Sequence, residues 1–339
     1  MKRLLTTLFL AAIVVGGIWI LVNQDRIRQS GGLSQFVSQQ FPANGSIDRS
    51  YDNGNYFLAS DPQAPNVIAP QRPSPMGLGT GLPDRIRVAT FKLSGAQEYP
   101  DPELALGVLA DLCSHFDVIA FQEIDGHRPG WLDELVHHIR RRTGGQADYQ
   151  YASDHARVTR DQVQYAFLFN SRKLQLDHHY TVADPDNVLV REPLVGWFRT
   201  INVPPQRAFT FSLVNIQLAE EQPGNELAYF GQLHHAIRKD GRGEDDILFV
   251  GDFQSGDRAL NALRKRSGMT WVVFDKATNT MNDTQCDNIV FEQTATLEFT
   301  GNGGVVDFLK EYNLGFRDAM AISDHMPVWA EFSAIERSK

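Results

Sequence analysis

The chain is short of cysteine, has no excess of basic residues and, past residue 22, has no long apolar run. With Cys113 and Cys286 as its cysteines, a disulfide framework is excluded, and two thiols so far apart pair only if the fold juxtaposes them. Both read as free. Cys113 sits among Val108, Leu109, Leu112 and Phe116 at helical spacing, the setting of a small buried hydrophobe. Against 41 acidic residues stand 32 lysines and arginines, a formal net charge of −9. That balance excludes a protein that grips nucleic acid through a broad cationic surface, because phosphate neutralisation supplies most non-specific affinity. Any phosphate recognition must therefore be local. No internal repeat at a fixed period is visible, which sets repeat architectures aside.

What is present is a chain of 339 residues, 42% hydrophobic and 22% charged, enough for one large α/β core or two small ones. After Met1-Lys2-Arg3, residues 4–22 are uncharged and mostly apolar, long enough to cross hydrocarbon as a helix. A cleaved signal peptide is the alternative. Against it, the run exceeds a normal signal core, bulky residues 18–22 close it, and no A-x-A site follows. The expectation is an uncleaved single-pass anchor over 1–28. Lys2 and Arg3 face Arg26 and Arg28 across the span, so the positive-inside signal is close to balanced, and the expectation is the usual signal-anchor orientation, with the globular domain on the extracytoplasmic side.

Residues 29–82 are rich in Gly, Ser, Pro, Gln and Asn, a composition that buries no core and suits a tether. The domain proper is expected over 83–335. Helical periodicity is found at 102–115, 131–142, 225–238 and 258–267, and strand patterns at 85–91, 118–122, 165–169, 209–217, 247–250 and 328–332. The run Arg140-Arg141-Arg142 followed by Gly144-Gly145 reads as a helix C-terminus, where cations complement the dipole, in preference to a nucleic-acid patch.

Several of these strands run directly into polar side chains, the arrangement in which groups from separate strands converge on one crevice. The segments are Thr90-Phe91-Lys92-Leu93, Phe121-Gln122-Glu123, Gln164-Tyr165-Ala166, Arg191-Glu192-Pro193, Val214-Asn215-Ile216-Gln217, Gly251-Asp252-Phe253-Gln254, Cys286-Asp287-Asn288 and Ser323-Asp324-His325. The remaining histidines show no metal-ligand spacing.

In order and spacing these segments resemble the endonuclease/exonuclease/phosphatase superfamily, and within it the deoxyribonuclease I-like branch. The resemblance implies a four-layer α/β sandwich, two packed mixed β-sheets flanked by helices, and Mg²⁺- or Mn²⁺-dependent phosphoester hydrolysis. It implies Glu123 and Asp324 as metal-side carboxylates, Asp252 as the acid that positions water or metal, and His325 oriented by Asp287 at the phosphate. Arg191 and Asn215 would bind substrate. The ligand implied is a phosphate ester: nucleic acid, a phospholipid head group or a small phosphodiester.

The chain departs from the family pattern at the same site. Lys92 stands where the first strand ends in asparagine, Gln217 replaces the histidine of Asn-x-His, and Gln254 replaces the asparagine of Gly-Asp-x-Asn. Asp125 replaces an arginine, and Val163 the glutamate that would hold the lost histidine. Glutamine cannot carry proton transfer, so an acid/base pair is missing as a unit. The expectation is a site with impaired catalysis, Lys92 standing where the metal would sit and no metal then needed. The alternative is an active Mg²⁺-dependent phosphodiesterase, nuclease or phosphatase working through His325 and the remaining acids.

Overall fold

The computed structural model describes residues 84–337 apart from 156–162, 185 and 222. The expected anchor (1–28) and tether (29–82) lie outside the described residues. Among the described residues no helix is long and apolar enough to cross a membrane.

Two six-stranded mixed sheets form the frame. The first contains β1 (Arg85–Lys92), β2 (Val118–Asp125), β3 (Tyr149–His155), β4 (Val163–Asn170), β11 (Phe299–Val305) and β12 (Val328–Ser333), in the order β11-β12-β1-β2-β4-β3. The second contains β5 (Leu174–Thr181), β6 (Leu194–Thr200), β7 (Thr210–Gln217), β8 (Ile247–Asp252), β9 (Met269–Trp271) and β10 (Asp287–Glu292), in the order β5-β6-β7-β8-β10-β9. The pairs β1–β2 and β7–β8 are parallel, and the other pairs are antiparallel.

Period-two alternation assigns each strand's side chains to two cores. From β1, Ile86 and Val88 enter the core between the sheets, with Val118, Phe167, Phe211, Leu248, Val250, Phe291 and Phe332. Ala89 and Phe91 face outward, under the helices Pro102–Cys113 and Trp131–Arg142. From β8, Ile247 and Phe249 face the helices Phe230–Arg238 and Asp257–Ser267. The molecule is thus an α/β sandwich with helices outside both sheets.

Local signals account for the helices. Asp101 caps Pro102–Cys113 by accepting the Leu104 N–H at 3.1 Å, with proline at the first position. The arginines closing Trp131–Arg142 are ion-paired, Arg140 to Asp148 at 2.8 Å and Arg142 to Asp111 at 2.6 Å, which agrees with the helix-terminus reading. The single helix expected at 225–238 is two, Pro223–Leu227 and Phe230–Arg238. Glu226 is buried and accepts the backbone N–H groups of Val190 and Ala219, both at 2.6 Å, which ties the first piece to the loops beside it.

Candidate active site

The polar strand ends meet. In the second sheet the register aligns Gln217 of β7 with Asp252 of β8, and Asp252 with Asp287 of β10, so three functional positions lie in one row. The β7–β8 approach is close because residue 251 is glycine. A Cβ there would sit 2.0 Å from the Ile216 carbonyl oxygen, and its φ of +139° also disfavours a side chain.

The first sheet contributes Lys92 from the end of β1 and Glu123 from a bulge in β2. The β2–β4 register breaks between Phe121 and Ile124, and Glu123 adopts φ 59°. Gln254, just past Asp252, has φ 47°. Left-handed conformations in non-glycine residues cost on the order of 1–3 kcal/mol and recur where a site aims a side chain.

The sheets are joined behind the crevice by amides. Gln122 Nε2 donates to Asn215 Oδ1 at 2.6 Å, and Asn215 Nδ2 donates to the Phe121 carbonyl at 2.8 Å. Asn215 is fully buried and its amide is engaged at both ends, so it braces the two sheets instead of presenting itself to a ligand.

Lys92 is the hub. Its Nζ lies 3.4 Å from Glu123 Oε1, 3.4 Å from Asp252 Oδ2, 3.9 Å from Glu220 Oε1 and 3.3 Å from His325 Nε2. Burial works against its charge, but Asp252, Glu123, Asp324 and Glu220 outweigh burial and hold the ammonium well above the ordinary lysine value. Gln217 Nε2 donates to the same Glu123 oxygen at 2.5 Å, and Gln254 donates to Asp252 through its backbone N–H at 3.0 Å and its Nε2 at 2.8 Å.

His325 faces Asp287 through Nδ1 at 2.7 Å. Burial alone would lower the imidazole, yet Asp287, by charge and hydrogen bond, and then Asp252 raise it to about 9 against the opposition of Lys92. Burial likewise pushes the Asp287 carboxyl up, to about 6, against the pull of His325. The two groups titrate as a pair, with Nδ1 donating to Asp287. Nε2, 3.3 Å from the Lys92 nitrogen, is the atom at which the ring gains its second proton. Ser323 fixes the loop, donating to the Lys92 carbonyl at 2.6 Å and accepting the His325 N–H at 2.9 Å.

Asp324 is half-exposed, its Oδ1 3.8 Å from His325 Nε2. Arg191 is half-buried beside Tyr165, whose phenol burial pushes up against the opposing arginine charge. Val163 pairs with Asp125 in the β2–β4 ladder, and Asp125 is turned to His127, whose N–H it accepts at 2.9 Å. Glu220 and the fully buried Thr278, whose hydroxyl accepts the Cys286 and Asp287 N–H groups at 2.8 and 2.9 Å, escaped the sequence reading, since neither ends a strand or joins a motif.

Asp252, Asp287 and His325 offer ligand atoms within 4.8 Å of one another. A divalent ion fits poorly here as the side chains stand. Glu123 Oε1 already takes a hydrogen bond and an ammonium, and Lys92 lies between Glu123 and Asp252. Several polar atoms of these residues, Gln217 Oε1, Asp287 Oδ1, Asp324 Oδ1, Arg191 Nε and Tyr165 OH, are buried with no hydrogen-bond partner. Such atoms are uncommon in protein interiors.

No protein-family model matches the chain. Rat deoxyribonuclease gamma is 26% identical over 263 residues, covering 72% of this chain and 83% of that protein. Human deoxyribonuclease-1-like 2 is 27% identical over 283 residues, covering 72% and 90%. Among solved structures, the human Nocturnin catalytic domain superposes with a TM-score of 0.49 at 13% identity, covering 75% of this chain and 94% of that one. In its ordered motifs and in these relatives, the chain is similar to deoxyribonuclease I-like proteins.

Proposed function

We propose that this is a membrane-anchored deoxyribonuclease I-like domain that holds a phosphate ester in its crevice and whose metal-dependent hydrolysis is impaired or lost. Residues 4–22 would form the span, with the domain on the extracytoplasmic side. The observation that carries the reading is the Lys92 ammonium at 3.4 Å from both Glu123 and Asp252. Near a protein surface two unit charges about 4 Å apart interact by about 4 kcal/mol, so a divalent cation seated among those acids would meet strong repulsion from the lysine. Gln217 adds to this, since an amide neither takes nor gives a proton at neutral pH.

The same residues suit an anion of modest size. Lys92, His325 and Arg191 offer positive charge or N–H groups, and the net charge of −9 restricts phosphate contacts to this locality. Relatives named as deoxyribonucleases favour a nucleic-acid phosphodiester over a phospholipid head group or a small phosphodiester. A second reading, active Mg²⁺- or Mn²⁺-dependent hydrolysis, is favoured by the buried His325–Asp287 pair, which is intact at 2.7 Å. There His325 would serve the phosphate, and a metal at Glu123 and Asp324 would require Lys92 to swing away.

The test is hydrolysis of bis(p-nitrophenyl) phosphate and plasmid DNA by the full chain with Mg²⁺ or Mn²⁺. We expect turnover no higher than that of His325→Ala. Combining Lys92→Asn, Gln217→His and Val163→Glu should raise metal-dependent hydrolysis by at least about 10²-fold, the usual worth of a general acid/base group. Wild-type turnover abolished by His325→Ala would establish the second reading. Stoichiometric Mg²⁺ binding that Glu123→Gln removes would defeat the placement of Lys92.

A further inference from the structure

The opposite end of β8 carries a second group of acids. Asp246 immediately precedes Ile247, roughly 20 Å along the strand from Asp252 at about 3.3 Å per residue. Glu298 sits just ahead of β11, and Glu336 follows β12 in the C-terminal segment. Carboxylate oxygens of the three lie within 4.8 Å of one another.

Two of these acids are deeply buried and incompletely bonded. Asp246 and Glu298 are each 1% exposed, and Asp246 Oδ1 and Glu298 Oε2 have no hydrogen-bond partner. Their neighbours hold them in place without neutralising them. Glu298 Oε1 accepts the Arg337 N–H at 2.6 Å, and Glu336 Oε2 accepts the Thr210 N–H at 3.3 Å. Nearby Glu244 has its own partners, since Oε1 takes the Asp245 and Asp246 N–H groups at 3.0 Å and Oε2 faces Arg242 at 3.7 Å. Among the described residues no lysine, arginine or histidine lies in ion-pair range of Asp246, Glu298 or Glu336. Buried carboxylates without a counter-charge are costly, so a cation or a proton is needed to offset them.

We propose that Asp246, Glu298 and Glu336 bind a hard divalent cation, Ca²⁺ above all, which ties the C-terminal segment to the approaches of β8 and β11. Oxygen-only ligands select hard ions. Coordination separates the two common ones. Ca²⁺ accepts several carboxylates in a flexible shell, whereas Mg²⁺ demands near-octahedral geometry, keeps several waters and is usually held by one or two carboxylates. Glu336 is exposed, which leaves the outer positions of a six- to eight-fold Ca²⁺ shell to water. The rival occupant is a proton shared by Asp246 and Glu298.

Thermal unfolding and calorimetric titration of the full chain with CaCl₂, after metal removal, test this. One Ca²⁺ per chain should bind, raising Tm by roughly 5 °C when free Ca²⁺ is 100-fold above its dissociation constant. Mg²⁺ should do less. Glu298→Gln should weaken binding at least about tenfold. Should that variant fail to fold, Glu336→Gln, on the exposed rim, carries the same expectation without disturbing the interior. Glu123→Gln in the crevice should leave the Ca²⁺ response intact, which separates this site from the phosphate-ester site. Loss of the response in Glu123→Gln with retention in Glu298→Gln and Glu336→Gln would overturn the proposal. So would a stability that follows pH and ignores Ca²⁺, the signature of the shared proton.

Discussion

Lys92 and Asp111 show the same electrostatic rule with opposite signs. A buried ammonium keeps its proton when enough carboxylate surrounds it, and a buried carboxylate keeps its charge when enough donors do. Asp111 closes the gap between the helices Pro102–Cys113 and Trp131–Arg142, with Arg142 at 2.6 Å and Tyr312 Oη donating at 3.0 Å. Burial pushes this acid up, but the His115 hydrogen bond, the Arg142 charge and the Tyr312 hydroxyl overcome it and bring it down to about 2. A folded-state value below the unfolded one near 3.8 means the acid stabilises the fold above pH 4. That contribution is lost as pH falls through about 2. Asp111→Asn should therefore lower stability at pH 7 by about 2 kcal/mol, and the gap from wild type should narrow between pH 4 and pH 2. Urea midpoints measured across that range decide it, and a gap that does not change with pH would mean the loss is one of packing alone.

At the scale of elements, the crevice depends on how closely strands approach. Gly251 lets β8 lie against β7, and the bulge at Phe121–Ile124 turns Glu123 toward the Lys92 ammonium. Gly251→Ala should cost about 3 kcal/mol, the upper end of overpacking, because the new methyl would need the space of the Ile216 carbonyl. Gly224→Ala, where nothing lies within 4 Å, should be neutral or slightly stabilising, and chemical denaturation of the pair checks both. Which strands were legible follows from the same physics. Those largely buried on both faces, β1, β2, β4, β7 and β8, announce themselves as apolar runs ending in polar groups, and β12 as an alternating run, whereas β10 is as deeply buried and shows only its leading Cys286-Asp287-Asn288. β5, with Asp177, His178 and His179 on an exposed sheet edge, and β11, with Gly301, Gly303 and Gly304, carry no such run. The convergence of Lys92, Glu123, Asp252 and His325 was legible from motif order. The Gln122–Asn215 brace and Thr278 were not, because nothing in a sequence says which buried amide or hydroxyl a neighbouring sheet will meet.

For the whole molecule, charge and the N-terminal apolar run bear on where the phosphate ester is met. A chain of net charge −9 gains little from diffuse attraction to a polyanion, so a long duplex would be held only through the crevice, weakly and, with few phosphates neutralised, with a shallow salt dependence. Confinement to a surface offsets such weakness by raising local concentration. An anchor over residues 4–22 followed by a tether would supply it, as 19 residues at about 1.5 Å each nearly cover a bilayer core of about 30 Å. Removing residues 1–28 should therefore move the protein from the carbonate-resistant membrane pellet to the soluble fraction. The folded domain should persist with an unchanged Tm, because the two sheets and three cores formed by the described residues begin at β1. A full chain found soluble with its first residues trimmed would instead identify the segment as a cleaved signal, and the domain would then meet its ligand free of any surface.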